Sequence, residues 1–185
     1  MIGILGGMGT QAGLDFCNKI AKLYKGKIDQ NYPKFLLYNK SNIPSRVENI
    51  KNYKKVLKSL VIGCNLLQKN KCKFITIPCN TAHYWFGDLQ KKIKIPILNM
   101  PQEVYIHAKK NCKINSRIGL LATETTIKTK IYDKFFEEKF DLICPIKRVQ
   151  ISNVNKCIKL VKMGKIKEAE KAIKPAVKHL IQNKC

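Results

Sequence analysis

Arginine is scarce in this sequence: of its 36 basic residues only three, Arg46, Arg117 and Arg148, carry a guanidinium. Acidic residues are scarce as well, 12 in all, so the formal net charge reaches +24 in a chain of 185 residues. A basic excess of this size is the electrostatic footprint of nucleic-acid binding. Its composition argues the other way. The lysines are spread along the whole chain, in no dense block and without interleaved aromatics. That pattern describes a solvated lysine coat, so a nucleic-acid partner is not expected. The coat would instead raise the local concentration of small acidic molecules.

Other shortages narrow the class further. No apolar stretch approaches the ~20 residues that a membrane-spanning helix needs, so no membrane partner is expected. The opening MIGILGGMGTQAG has no basic segment and is broken early by glycines, which predicts a buried strand and turn rather than a signal peptide. The cysteines, at 17, 64, 72, 79, 112, 144, 157 and 185, include no C-x-x-C pair, which argues against zinc knuckles and thioredoxin-type redox motifs. Reduced thiols in a cytoplasmic protein are the default for such usage, most of them small buried hydrophobes. No low-complexity linker divides the chain.

What is present is an alternation of short apolar runs and helical patterns. Strands are expected at Ile2–Leu5, Lys34–Tyr38, Phe74–Ile77 and Ile95–Leu98, the last an edge because of Pro96. A helix is expected over Gln11–Lys25. A longer one is marked by Val47, Ile50, Tyr53, Leu57, Leu60, Cys64 and Leu67, which hold one face over several turns. A second series after Pro101 repeats the order in part, with strands at Ile118–Ala122 and Asp141–Ile143. Helices are expected near Gln102–Lys109, Ile127–Phe136, Asn155–Met163 and Lys165–Asn183. This order calls for parallel sheets covered by helices, and the partial echo suggests two α/β lobes.

The segment Gly7-Met8-Gly9-Thr10-Gln11-Ala12 fits G-x-G-x-x-A between a strand and a helix. A dinucleotide site would also want an acidic residue at the end of the second strand to hold the ribose. That strand ends in Tyr38-Asn39-Lys40, so the glycine turn is left to bring backbone donors to a small anion, or to serve packing alone.

FITIPCNTAHYWF, residues 74 to 86, places Cys79 at the carboxyl end of a parallel strand, the ligand-binding edge of open α/β sheets. Asn80 or Thr81 is placed to cap the next helix, and a helix N-terminus favours a thiolate. Three readings of Cys79 remain open here: a buried structural cysteine, a metal ligand with His83 four residues on, or a reactive thiol. No second cluster at ligand spacing accompanies the metal reading.

Five separated segments, GILGGMGT, SNIPSR, IPCNTAH, GLLATETTIKTKIY and LVKMGKIKEA, occur in that order along the chain. Together they resemble the aspartate/glutamate racemase family, in its aspartate racemase branch. The resemblance implies a pyridoxal-independent amino-acid racemase using no cofactor and no metal. It implies an α/β fold of two lobes, parallel sheets flanked by helices, with the active-site cleft between them. The N-terminal lobe would span 1–100 and carry Cys79; the second would span 101–185.

On the matching positions, Cys79 is the first catalytic cysteine and Arg46 the arginine that grips a substrate carboxylate. The resemblance further implies that Asn80 and Thr81 bind the α-carboxylate or amino group and that Met8 and Gly9 line the same pocket. Thr123 is the second-lobe threonine, and Lys162 meets the side-chain carboxylate. Ser45 stands where the family more often has aspartate, which implies a looser hold on Arg46. The family's second cysteine lies in a Gly-Cys-Thr-Glu segment that does not occur here, and Cys185 lacks both flanks. The sequence thus reads as a racemase truncated at its C-terminus, with an incomplete second lobe. The expected ligand is aspartate or glutamate, with a homodimer left open. The alternative is a catalytically inactive binder of acidic amino acids, or an interaction protein.

Overall fold

In the computed structural model, which describes residues 1–185, the first apolar run forms β1 (Ile2–Gly6). It pairs in parallel with β2 (Phe35–Asn39) on one side and β3 (Phe74–Thr76) on the other, giving the order β2-β1-β3. Its register sets Ile2 against both Phe35 and Phe74. As the central strand, β1 is buried over Gly3–Gly6, which explains a continuous apolar run without alternation. α1 (Thr10–Leu23) joins β1 to β2, and α2 (Tyr53–Lys69) joins β2 to β3.

α2 buries Val56, Leu60, Gly63, Cys64 and Leu67, a stripe at helical spacing turned to the sheet. Gly63 permits the approach: a Cβ there would lie 2.6 Å from Leu5 Cδ1. The same helix face extends into an apolar cluster with Met8, Ile43, Ile77, Trp85 and Leu89, against which Cys79 packs.

Two expected elements differ. The long helix begins at Tyr53, so Val47 and Ile50 lie in turns. Pro44 has no N–H to give a helix. The Ser45 carbonyl accepts from both the backbone N–H and the side-chain Nδ2 of Asn49 at 3.0 Å, and the next bond, Asn52 N–H to the Asn49 carbonyl, is a tighter three-residue turn that ends the run before α2. The strand expected at Ile95–Leu98 shrinks to one parallel bridge between Ile75 and Ile97. Ile75 N–H donates to the Pro96 carbonyl and Leu98 N–H to that of Ile75, both at 2.8 Å. Pro96 has no donor with which to extend the ladder.

After β3 the chain makes a 3₁₀ turn over Asn80–Trp85 and then α3 (Phe86–Gln90). The chain divides into two compact units, Met1–Met100 and Pro101–Cys185, and α4 (Met100–Asn111) starts at that boundary.

The second unit has a two-stranded parallel sheet, β4 (Arg117–Gly119) and β5 (Asp141–Ile143). The helix expected over Ile127–Phe136 is broken into α5 (Glu124–Lys128) and α6 (Asp133–Phe136), with Lys130 at φ +51° between them. Tyr105, Tyr132, Phe136 and Phe140 form its aromatic core. α7 (Lys147–Val149) runs through a π-helical turn, Gln150–Asn155, into α8 (Lys156–Lys162). Gly164 at φ +75° ends this run in the left-handed conformation that suits glycine, and α9 (Ile166–Gln182) follows. No helix is long and apolar enough to cross a membrane.

Candidate active site

The loops that leave the carboxyl ends of β1, β2 and β3 carry most of the residues expected to act. Gly7 has φ +87°, and a Cβ there would stand 2.3 Å from the backbone C and O of Lys40; only glycine fits both constraints. The β1 loop therefore lies directly on the backbone following β2. Gly9 is extended (φ −142°) and leads into α1. Asn39, where a dinucleotide site would want an acid, donates through Nδ2 to Thr10 Oγ1 at 3.3 Å. Lys40 is buried and reaches Asn42 Oδ1 at 2.6 Å.

Arg46 is 8% exposed. Its Nη2 donates to the Met8 carbonyl at 3.0 Å, and its Nη1 to the carbonyls of Ile43 at 3.2 Å and Pro44 at 3.0 Å. Its Nε is buried and has no partner. The guanidinium is thus aimed by neutral oxygens and paired with no carboxylate. Ser45 takes no part in this, its Oγ accepting from the Glu48 N–H at 3.4 Å. The hold on Arg46 that the Ser45 position implied to be loose is made instead by backbone.

Cys79, half-buried, is itself the residue preceding the 3₁₀ turn, with extended backbone at φ −151° and no side-chain cap. That differs from a cap by Asn80 or Thr81. Both its backbone groups are fixed. The Cys79 N–H donates to the Ile77 carbonyl at 2.7 Å, and its carbonyl accepts from Ala82 N–H at 3.2 Å. The same carbonyl accepts from His83 Nδ1 at 2.9 Å. Asn80 is exposed and Thr81 buried, both beside the sulfur in sequence.

His83 is buried, and desolvation pushes its pKa below the usual 6.5, against opposing hydrogen bonds with the backbone of Cys79, Leu98 and Asn80. The imidazole is therefore neutral at physiological pH. No group of three or more metal-ligating side chains occurs.

In the second unit Thr123 caps α5, its Oγ1 accepting from Thr126 N–H at 3.1 Å and lying 3.0 Å from Thr126 Oγ1. Lys162 ends α8 and is exposed, with its ammonium in no ion pair. Cys185 is exposed beyond α9.

The family model for Asp/Glu/Hydantoin racemase matches residues 5–185. The chain belongs to this family. Among curated proteins it is 31% identical over 138 residues to the broad specificity amino-acid racemase RacX of Bacillus subtilis, covering 72% of this chain and 59% of that one. It is 35% identical over 79 residues to the glutamate racemase of Corynebacterium diphtheriae, covering 42% of this chain and 29% of that one. The chain thus spans less than two thirds of the length of either curated relative. A solved aspartate racemase of Picrophilus torridus is similar in fold, with a TM-score of 0.85 at 29% identity over 96% of this chain and 74% of that one.

One feature of this racemase-family chain has no signature in the sequence. Gln150, 4% exposed at the head of the π-helical turn, donates through Nε2 to the Ala122 carbonyl and to Asn155 Oδ1, both at 2.9 Å. Asn155 Nδ2 in turn donates to Glu124 Oε1 at 2.7 Å. The relay ties the backbone carbonyl before Thr123 to the side chain of the residue after it. Gln150 Oε1 is left buried without a partner. The partners lie 28, 5 and 31 residues apart along the chain, beyond any local pattern.

Proposed function

We propose that the protein is an amino-acid racemase that acts on aspartate or glutamate without a cofactor, with Cys79 as a proton-transferring thiol. The observation that carries this reading is Arg46. A buried guanidinium without a counter-charge is costly, and three carbonyls hold it by Nη1 and Nη2 while Nε stays unpaired. A carboxylate ligand supplies what it lacks, and a guanidinium suits that task by geometry and charge. Membership of the racemase family and the position of Cys79 after β3, beside the central β1, support the same reading. All eight cysteines are free thiols, in keeping with a reducing cytoplasmic setting.

The chemistry assigned to Cys79 is general base catalysis. Its thiolate takes the proton from Cα: the S–H bond forms as the Cα–H bond breaks, and the electron pair is delocalised into the α-carboxylate. Fixed donors stabilise that developing charge; Asn80 and Thr81 are assigned to the α-carboxylate or amino group. Met8 and Gly9 line the pocket, and Arg46 grips a carboxylate. In the second unit Thr123 and Lys162 are assigned to the substrate, Lys162 to the side-chain carboxylate. Return of a proton from the Cys79 thiol gives exchange with retention. Inversion needs a second acid on the opposite face, and with no Gly-Cys-Thr-Glu cysteine in the chain that proton has to come from solvent water.

The test is incubation with L-aspartate, and separately L-glutamate, in D₂O. Deuterium should appear at Cα by NMR, and the D-enantiomer by chiral chromatography. Cys79→Ala should abolish both signals. Exchange that survives Cys79→Ala would remove Cys79 from its role. Saturable binding without exchange of either amino acid would replace the racemase by a binder.

A further inference from the structure

We infer that His83 is a positioning residue for Cys79, acting through the backbone carbonyl that precedes the 3₁₀ turn. The inference rests on the racemase reading for its effect on turnover, but its geometry stands apart from that reading.

A carbonyl can only accept and an amide N–H can only donate. His83 Nδ1 lies 2.9 Å from the Cys79 carbonyl, so Nδ1 carries the proton. Its Nε2 lies 3.2 Å from the Met100 amide, so Nε2 is a bare acceptor. The Cys79 and Met100 bonds favour the Nδ1–H tautomer, in a ring that also lies against the backbone of Leu98 and Asn80. Both nitrogens are occupied by backbone, which leaves none for a metal or for direct proton exchange with substrate. The ring is 7% exposed and lies nearly parallel to Phe86, at 13° and a centroid distance of 6.3 Å. Packing thus fixes its plane while the two hydrogen bonds fix its rotation.

The consequence falls on the sulfur. With N–H tied to Ile77 and the carbonyl tied to Ala82 and His83, both peptides flanking Cys79 are held. The Cα–Cβ bond of Cys79 then has one direction. Proton abstraction from carbon tolerates little misplacement, and errors near 1 Å cost on the order of 100-fold. Met100 stands at the start of α4, after the irregular stretch that follows Ile97. The imidazole therefore braces the cysteine turn against the segment that leaves the first unit.

Two substitutions separate the two bonds. His83→Asn keeps a donor near the Nδ1 position, and His83→Gln keeps an acceptor near the Nε2 position. His83→Asn should retain deuterium exchange of aspartate within about 3-fold of wild type. His83→Gln should lower kcat at least 10-fold while KM moves less than 3-fold. The iodoacetamide alkylation rate of Cys79, followed by peptide mass spectrometry, should change in His83→Gln and not in His83→Asn. That rate decides the matter even if the wild type exchanges no amino acid, an outcome that would sink the racemase reading alone.

Equal loss in both variants, tracking a fall in melting temperature, would overturn the inference. So would a His83→Gln variant indistinguishable from wild type. If neither variant folds, ¹⁵N NMR of the wild-type ring decides: an Nδ1–H tautomer is expected, and an Nε2–H tautomer overturns the inference.

Discussion

Arg46 Nη2 donates to the Met8 carbonyl at 3.0 Å, so the cation that follows β2 is aimed by the loop that follows β1. The bond couples a charge to a loop whose shape is set by Gly7. No carboxylate pairs with the guanidinium, so on the proposed reading a carboxylate ligand that binds there stabilises the fold. Aspartate and the simpler dicarboxylate malonate should each raise the melting temperature of the wild type in a saturable way, because a ligand that binds only the native state adds stability by mass action. Arg46→Lys should abolish the shift: one ammonium cannot reproduce a planar fork. Melting curves with and without ligand read both effects. An undiminished shift in Arg46→Lys would put the anion site elsewhere.

Gly7→Ala tests the frame under that cation. The substitution places a Cβ 2.3 Å from the Lys40 carbonyl group in a backbone at φ +87°. A loss of about 3 kcal/mol is expected, at the upper end of ordinary single-residue effects. Gly87→Ala is the control: a Cβ at Gly87 meets nothing within 4 Å, inside α3. There alanine should be neutral or stabilising by up to about 1 kcal/mol. Urea denaturation of the two variants should differ in sign or nearly so.

The relay beside Thr123 has a direction that can be reversed. Asn155→Asp would bring a new carboxylate against Glu124 where an amide now donates at 2.7 Å. Glu124 is partly solvated, its side chain 44% exposed, so the cost should be modest, about 1–2 kcal/mol near neutral pH, and should shrink as the pair takes up a proton. Adding Glu124→Gln restores a donor and an acceptor in swapped positions, and the new carboxylate still accepts from Gln150. The double variant should regain most of the loss. A coupling energy near zero in the double-mutant cycle would mean that the relay does not hold this segment. The ion pair with Lys128, 3.7 Å long and exposed, is lost with Glu124 and contributes little.

The parts of the site that were legible in the sequence are those governed by local rules. A buried apolar run followed by Pro78 and Cys79 marks a parallel strand and the edge where it ends, and β3 with the turn at Asn80 follows that reading. The absence of an acid after β2 was equally readable, and Asn39 bonds Thr10 there. Arg46 is marked as a site residue by resemblance alone, because nothing in SNIPSR reveals which carbonyls aim it. Val47 and Ile50 misled the helix boundary: their spacing continues the stripe of α2, yet the asparagines and Pro44 keep the backbone in turns. Ile95–Leu98 failed as a strand for want of the Pro96 donor. Gln150 was out of reach because its partners are set by tertiary packing and not by spacing.

The buried neutral imidazole of His83 makes stability depend on pH in a defined direction. Burial lowers the native pKa below the ordinary 6.5 that the unfolded chain retains. Between those two values the unfolded state binds more protons than the native state. Stability is then complete above pH 6.5 and falls as the pH drops through the native value, with a slope of at most about 1.4 kcal/mol per unit for one proton. Protonation at Nε2 would also force out the Met100 N–H, now 3.2 Å away. Asp88, whose pKa is lowered by the Tyr53 hydroxyl and Lys91, acts in the same direction but in the carboxylate range below pH 4. The decline that begins below pH 6.5 therefore belongs to His83. Urea denaturation at pH 7.5, 6.5 and 5.5 should give a plateau and then a decline, and His83→Asn should flatten it. A decline of the same size in His83→Asn would assign the effect to another group.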